Sequence, residues 1–198
     1  MAAYELGGLT SEKADVTGER NGHGYVDLGL PSGTLWATNN LGATKPEGYG
    51  SYYAWGEIKT KATYTIDNSI WYDVGLDELK SQGVINSSGN LTSGYDAATA
   101  NWGAGWRMPT LDEIKELKSR CRWSWTTVNG VKGYKVTGPS GKSIFLPAAG
   151  AESYLVGSIG YYWGSTAYDF SYFAFDSDNY DWYGNSRGLG LSVRPVSE

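Results

Sequence analysis

Apolar and polar residues alternate with a period of two in short bursts along most of this chain, and one stretch follows the period of a longer helix. Tyr25-Val26-Asp27-Leu28 alternates as a strand does, Leu30-Pro31-Ser32-Gly33 reads as a turn, and Thr34-Leu35-Trp36-Ala37 reads as a second strand. In GYGSYYAWGE, Tyr53 and Trp55 take the inward positions. The stretch 58–91 is polar and irregular. Trp71 and Tyr72 are expected to pin it, and Asp77-Glu78-Leu79-Lys80 to form one helical turn. A short Ala-rich helix is expected over Tyr95–Ala100, begun by Asp96 and stopped near Gly103. The strongest helix signal follows Pro109: Thr110 and Glu113 make a T-x-x-E capping box, and Leu111, Ile114, Leu117 and Cys121 recur on one face. Two hairpins come next. Trp125–Val128 turns through Asn129-Gly130, a pair that tolerates positive φ, into Tyr134–Val136. The second passes through Gly138–Gly141 into Ser143–Pro147.

The last quarter, Tyr161 to Val196, interleaves two kinds of position. Trp163, Phe173, Phe175, Trp182 and Val193 are expected to point inward from short strands. Between them sit Tyr168, Asp169, Ser171, Tyr172, Asp178, Asn179, Tyr180, Asp181, Tyr183, Asn185 and Ser186. Tyrosine offers wide amphipathic contact with few rotors to freeze, and small polar residues offer adaptable hydrogen bonds, which is the chemistry of a combining surface. Lysine is absent after Lys142. Tyr172, Tyr180 and Tyr183 are the expected anchors of such a surface, with Asp178, Asn179, Asp181 and Asn185 as directional contacts. The competing reading is a Gly- and Tyr-rich β-region that closes a core and binds nothing.

Composition narrows the function. The 198 residues suffice for one domain with a substantial core, yet nine Trp and sixteen Tyr exceed what such a core requires. Sixteen basic against twenty-one acidic residues leave a net charge of −5 and no basic stripe, which argues against nucleic acid as a partner. The first residues, MAAYELGG, lack a signal-peptide core, and no apolar run approaches a membrane span. Residues 1–23 are read as a flexible arm and 24–198 as the domain, with the combining region at about 168–191. Cys121 is alone and is read as a small buried hydrophobe. His23, the sole histidine, lies between two glycines and is read as an exposed loop residue, so a nucleophile–histidine pair is not expected. Glu57, Asp96, Glu113, Glu152, Asp169, Asp176 and Asp181 supply carboxylates without a catalytic motif, and the chain is read as non-enzymatic. Asp176-Ser177-Asp178-Asn179-Tyr180-Asp181 alternates oxygen ligands as a calcium loop does, but lacks the Gly turn and closing Glu of an EF-hand. No cofactor or metal is expected.

Six phrases together carry a resemblance: YVDLGLPSGTLWAT (Tyr25 to Thr38), YYAWGE (Tyr52 to Glu57), ANWGAGWRMPTLDEIKEL (Ala100 to Leu117), IFLPAAG (Ile144 to Gly150), YYWGST (Tyr161 to Thr166) and SVRPV (Ser192 to Val196). Over Gly24 to Val196 the chain resembles the Fibrobacter succinogenes major paralogous domain, a C-type-lectin-like fold of the formylglycine-generating-enzyme type. The resemblance implies an α+β domain with two short helices, small twisted antiparallel sheets, many loops, and paired N- and C-terminal strands, Tyr25–Leu28 beside Ser192–Val196. It departs from the enzymes of that fold, which need paired cysteines or a histidine cluster. The chain looks instead like the variable ligand-binding proteins of diversity-generating retroelements, carried on phage virions or bacterial cell surfaces. Their varied positions hold residue types reachable from one Asn codon by changing adenines. The polar positions above are of those types, and Gly188, Leu189 and Leu191 join them, while Trp163, Phe173, Phe175, Trp182, Arg187 and Arg194 would be constant frame. The implied partner is a cell-surface protein or glycan, without membrane insertion. A carbohydrate-binding module and a purely structural surface module are the alternatives.

Overall fold

The computed structural model describes residues 15–152, 154–167, 172–183 and 187–198, with Trp182 and Tyr183 described through their backbone alone. Short strands dominate because Gly, Pro and Asn interrupt nearly every apolar run. Among the described residues they form three sheets in an α+β arrangement. The first is antiparallel and holds β1 (Gly18–Arg20), β2 (His23–Asp27), β3 (Leu35–Ala37) and β12 (Val196–Ser197), in the order β1-β2-β3-β12. The N- and C-terminal strands therefore share one sheet, as expected. The direct neighbour of β12 is β3, with Val196 opposite Trp36, and β3 stands between it and β2.

A second sheet has the order β10-β9-β8-β11-β4, from β4 (Tyr52–Tyr53), β8 (Gly160–Trp163), β9 (Tyr172–Phe175), β10 (Tyr180–Tyr183) and β11 (Leu191–Ser192). The third is the meander of β5 (Arg122–Val128), β6 (Val131–Thr137) and β7 (Ser143–Pro147). Its first turn is Asn129-Gly130, with φ of 48° and 84°, the two positive angles of a type I′ connection.

Three α-helices appear among the described residues, one more than the resemblance implies: α1 (Leu76–Ser81), α2 (Ala97–Trp102) and α3 (Leu111–Arg120), besides a single 3-10 turn at Ile66–Asn68. Asp96 caps α2 by accepting from the Thr99 N–H at 2.9 Å. The capping box of α3 is complete, the Thr110 hydroxyl accepting from Glu113 N–H and the Glu113 carboxylate from Thr110 N–H. Ile114 and Leu117 face the core, while Cys121 ends the helix half-buried, its thiol pushed up to about 11 by burial. Trp71 is buried and donates its indole N–H to Gly56 O at 3.1 Å, so it pins its loop, whereas Tyr72 stays exposed.

At the N-terminus one expectation is corrected, that of His23 as an exposed loop residue. Residues 15–23 pack on the domain: β1 pairs with β2, Arg20 donates to Gly105 O and to Ser197 Oγ, and Asp15 accepts from Ser143. His23 is a strand residue whose ring stacks on Trp102 at 3.8 Å and 9°, with Trp106 edge-on. Two neighbouring tryptophans supply a flat apolar surface that a loop position would have left bare.

Two apolar cores form among the described residues. One gathers Trp55, Trp106, Met108, Trp163, Leu191 and Val193 under α1 and α2. The other gathers Val26, Trp36, Ile114, Tyr134, Phe173 and Phe175 between α3 and the meander. Strands β8 and β9 form the wall they share, because consecutive residues of a strand point to opposite faces: Tyr162 belongs to the second core and Trp163 to the first.

Candidate ligand-binding surface

Of the nine candidate positions among the described residues, six fall on β9, β10 and the turn that joins them, a hairpin at the edge of the five-stranded sheet. Register decides which side chains it presents. Phe175 pairs with Tyr180, Ala174 with Asp181, Phe173 with Trp182 and Tyr172 with Tyr183, while β8 sets Tyr161 beside Ala174 and Trp163 beside Tyr172. Directly paired residues share a face. One face therefore carries Phe173, Phe175 and Tyr180 and turns to the meander. The opposite face carries Tyr161, Tyr172 and Ala174.

Tyr180, expected to point outward, lies on the core side. Its ring stacks on Trp123 at 4.8 Å and 15°, and the Lys118 ammonium sits 5.6 Å from its centroid. Being in register with buried Phe175, it could not face the other way without shifting the whole strand by one residue. Tyr172 is half-buried, with Tyr161 and Trp163 packed edge-on at 5.9 and 5.8 Å. Asp178 and Asn179 are exposed on the turn, and exposed Asp181 reaches across to Lys118 at 2.9 Å.

The turn is built by its own side chains. Asp176 Oδ1 accepts from the N–H groups of Asp178 at 2.8 Å and Asn179 at 2.9 Å, and Asn179 Oδ1 accepts from Tyr180 N–H. Of the oxygens that suggested a calcium loop, Asp176 Oδ1 and Asn179 Oδ1 are directed at backbone donors and Asp181 at a lysine. Among the described residues no group of three or more His, Cys, Asp or Glu is placed to hold a metal ion.

Further along, two candidate positions are buried. Leu191 is 0% exposed, since β11 runs between β8 and β4 in the middle of the sheet with both faces covered. Gly188 is buried against Ile66, Ser69 and Tyr72, where a Cβ would already touch at 3.3–3.4 Å. Leu189 is half-buried against the first core. Tyr168, Asp169, Ser171, Asn185 and Ser186 lie outside the described residues, and Tyr183 is placed by its backbone register only.

Two arginines hold the frame around the hairpin. Arg187 lies over the Trp55 ring at 4.9 Å and donates to Val74 O and Ala167 O. Arg194, 1% exposed, donates to Asn40 Oδ1, Ala37 O, Thr38 O and Phe145 O at 2.7–2.9 Å. Burial lowers the basicity of both. Trp163 donates its indole N–H to Tyr53 O at 2.6 Å and Trp55 to Gly164 O at 3.0 Å. None of these bonds uses an exposed side chain of the hairpin.

The carboxylates considered earlier have partners in the fold: Glu57 pairs with Lys61, Asp96 accepts from the N–H groups of Thr99 and Met108, and Glu113 pairs with Arg107. Burial raises the Asp96 pKa. For Glu113 burial works upward too, but Arg107 and the Thr110 N–H outweigh it and the net shift is downward. Sequence reasoning missed Ile159, Tyr161 and Ala174, which line a pocket of about 180 Å³ beside Tyr172. Only the β8–β9 register brings them together, and no local pattern announces it.

Comparison with protein-family models, with curated proteins and with solved structures finds no match for the chain. The resemblance to the C-type-lectin-like domain rests on the six sequence phrases.

Proposed function

We propose that this chain is a non-enzymatic ligand-binding domain of C-type-lectin-like fold, a receptor-binding or adhesin module that presents the β9–β10 hairpin and its flanks to a protein or glycan on a cell surface. On the same reading it is the variable protein of a diversity-generating retroelement, displayed outside the cell on a virion or a bacterium. The observation that carries the proposal is a division of labour within the hairpin. Phe173 and Phe175 are locked in the core, while exposed Asp178 projects from a turn whose shape depends on Asp176, Asn179 and backbone bonds. Side chains so placed can be exchanged without refolding, which is what a changeable contact surface requires.

Sequencing the gene in sister isolates, with the flanking DNA, tests this. Substitutions should concentrate between residues 168 and 191 at Tyr, Asn, Asp and Ser positions, near a template repeat and a reverse transcriptase gene, and spare Trp163, Arg187 and Arg194. Substitutions scattered evenly over residues 24–198 would overturn it. A carbohydrate-binding module is the second reading, favoured by Tyr161 and Tyr172 beside Asp176 and Asn179 at one pocket. A glycan array separates the two, since the sugar module must give hits that Tyr172→Ala abolishes.

A further inference from the structure

The pocket at the hairpin has a more specific chemistry than a generic contact surface. Ile159, Tyr161, Tyr172 and Ala174 line it, and Asp176 and Asn179 also contribute to its lining. Its volume, about 180 Å³, is that of a slot for one long side chain or one sugar ring, not for a drug-sized ligand. Charge separates those two occupants. Asp176 Oδ1 is taken by two backbone N–H groups and Asn179 Oδ1 by a third, which ties both side chains to the turn and leaves Asp176 Oδ2 outside those bonds. Such bonds leave the full negative charge of the carboxylate in place.

That charge is not neutralised nearby. Neither Asp176 nor Asp178 has an ion-pair partner among the described residues, and Lys118 is engaged by Asp181 and the Tyr180 ring. The Tyr134 hydroxyl registers the field: its pKa is raised by burial first, then by Tyr180, Asp176 and Asp178. The chain as a whole carries −5. Aromatic rings beside an uncompensated carboxylate attract a cation twice, through the ring quadrupole and through the formal charge.

We propose that this pocket accepts a lysine or arginine side chain of a partner protein, its aliphatic stem against Ile159 and Ala174 and its cationic head between the Tyr161–Tyr172 rings and the Asp176 carboxylate. The proposal rests on the ligand-binding reading above and narrows the partner to a protein with a protruding basic residue.

The test titrates the full chain, isotope-labelled, with N-acetyl-arginine methylamide, N-acetyl-lysine methylamide and methyl β-glucoside, reading amide shifts by NMR at low and high salt. The arginine or lysine probe should give saturable shifts confined to the amides around Tyr161, Tyr172 and Asp176–Asn179, weakened by salt. Asp176→Asn keeps the acceptor that shapes the turn and removes the charge, so it should weaken binding about fivefold, the upper range for one exposed ion pair. Ala174→Leu should fill the slot and abolish binding with the carboxylate intact. Absence of saturable shifts, equal affinity in Asp176→Asn, or preference for the glucoside at the same amides would overturn the proposal. The two readings fail separately. Loss of partner binding in Tyr172→Ala with no cation binding sinks the pocket chemistry alone. Cation binding as described, with substitutions among isolates spread over the whole domain, sinks the variable-receptor reading alone.

Discussion

Arg194 is a buried cation whose four acceptors are carbonyls and an amide, with no carboxylate among them. Its guanidinium ties Ala37, the last residue of β3, and Thr38 to Phe145 of β7, so one planar group fixes the separation of two sheets. Replacing it by methionine leaves those acceptors buried and unpaired, and each orphan costs about 1–3 kcal/mol. Arg194→Met should therefore lose about 3 kcal/mol or more in urea unfolding, and Arg194→Lys should recover only part, because an ammonium cannot reach four acceptors in one plane. Lys118→Ala, which breaks the pair between this half-buried lysine and exposed Asp181, should cost under about 1 kcal/mol. His23 makes a second residue-scale case. Burial under Trp102 lowers its pKa below 6.5, with Glu19 pulling weakly the other way. A depressed histidine pKa means the unfolded chain takes up the proton first as pH falls. The stabilising contribution is present above pH 6.5 and is lost as pH drops through the folded-state midpoint. Since His23 is the sole histidine, its ring protons can be followed without assignment. The expected midpoint lies below 6.5 and moves up toward it in Trp102→Ala.

At the level of elements, α3 joins a local signal to a long-range contact. Glu113 completes the capping box, and its carboxylate also receives both terminal nitrogens of Arg107, at 2.6 and 2.7 Å, and the Thr34 hydroxyl. Glu113→Gln keeps a cap acceptor and loses the ion pair, while Glu113→Ala loses both. Stability should fall in the order wild type, Glu113→Gln, Glu113→Ala, with about 1 kcal/mol for the cap alone. Because Glu113 is held below the usual carboxylate range, its contribution persists above pH 4.5 and vanishes as pH falls through the folded value, and acid unfolding of Glu113→Gln should be the shallower. The cap at Thr110, the Asn129-Gly130 turn and the start of α2 at Asp96 were legible in the sequence because each is set by residues within four positions of one another. The partner of β12, the face taken by Tyr180 and the burial of Leu191 were not. Each depends on which distant strand lies alongside, and a period of two gives only the relative phase of neighbours, never which face is inside. His23 was misread for a related reason: the glycines on either side suggested a loop, while the two tryptophans that hold it come some eighty residues later.

Among the described residues the molecule is two cores divided by β8 and β9, and its most consequential property is that this wall is closely packed while the turn beyond it is not needed for packing. Gly160 marks how closely the wall is built, since a Cβ there would run into the Phe175 ring. Trp163, 0% exposed, ties the wall to β4 through Tyr53 O. Its removal opens a cavity in the first core and orphans a carbonyl, and Trp163→Ala should cost about 3–5 kcal/mol. Asp178 and Asn179 belong to neither core, so Asp178→Ala should stay within about 0.5 kcal/mol of wild type, while Asn179→Ala, which removes the acceptor of the Tyr180 N–H, should cost about 0.5–1 kcal/mol. Tyr172 lies between, half-buried on two rings, and Tyr172→Ala should fall between those limits. Asp176→Ala is the informative exception. It is a surface change that removes the acceptor of two backbone N–H groups, so it should destabilise more than its neighbours although it buries little area. Denaturant unfolding of these five variants should rank them Trp163, Tyr172, Asp176, Asn179, then Asp178. Equal losses at Trp163 and at Asp178 would mean that frame and turn unfold as one unit, and a surface whose contacts change independently of folding could not be built on this wall.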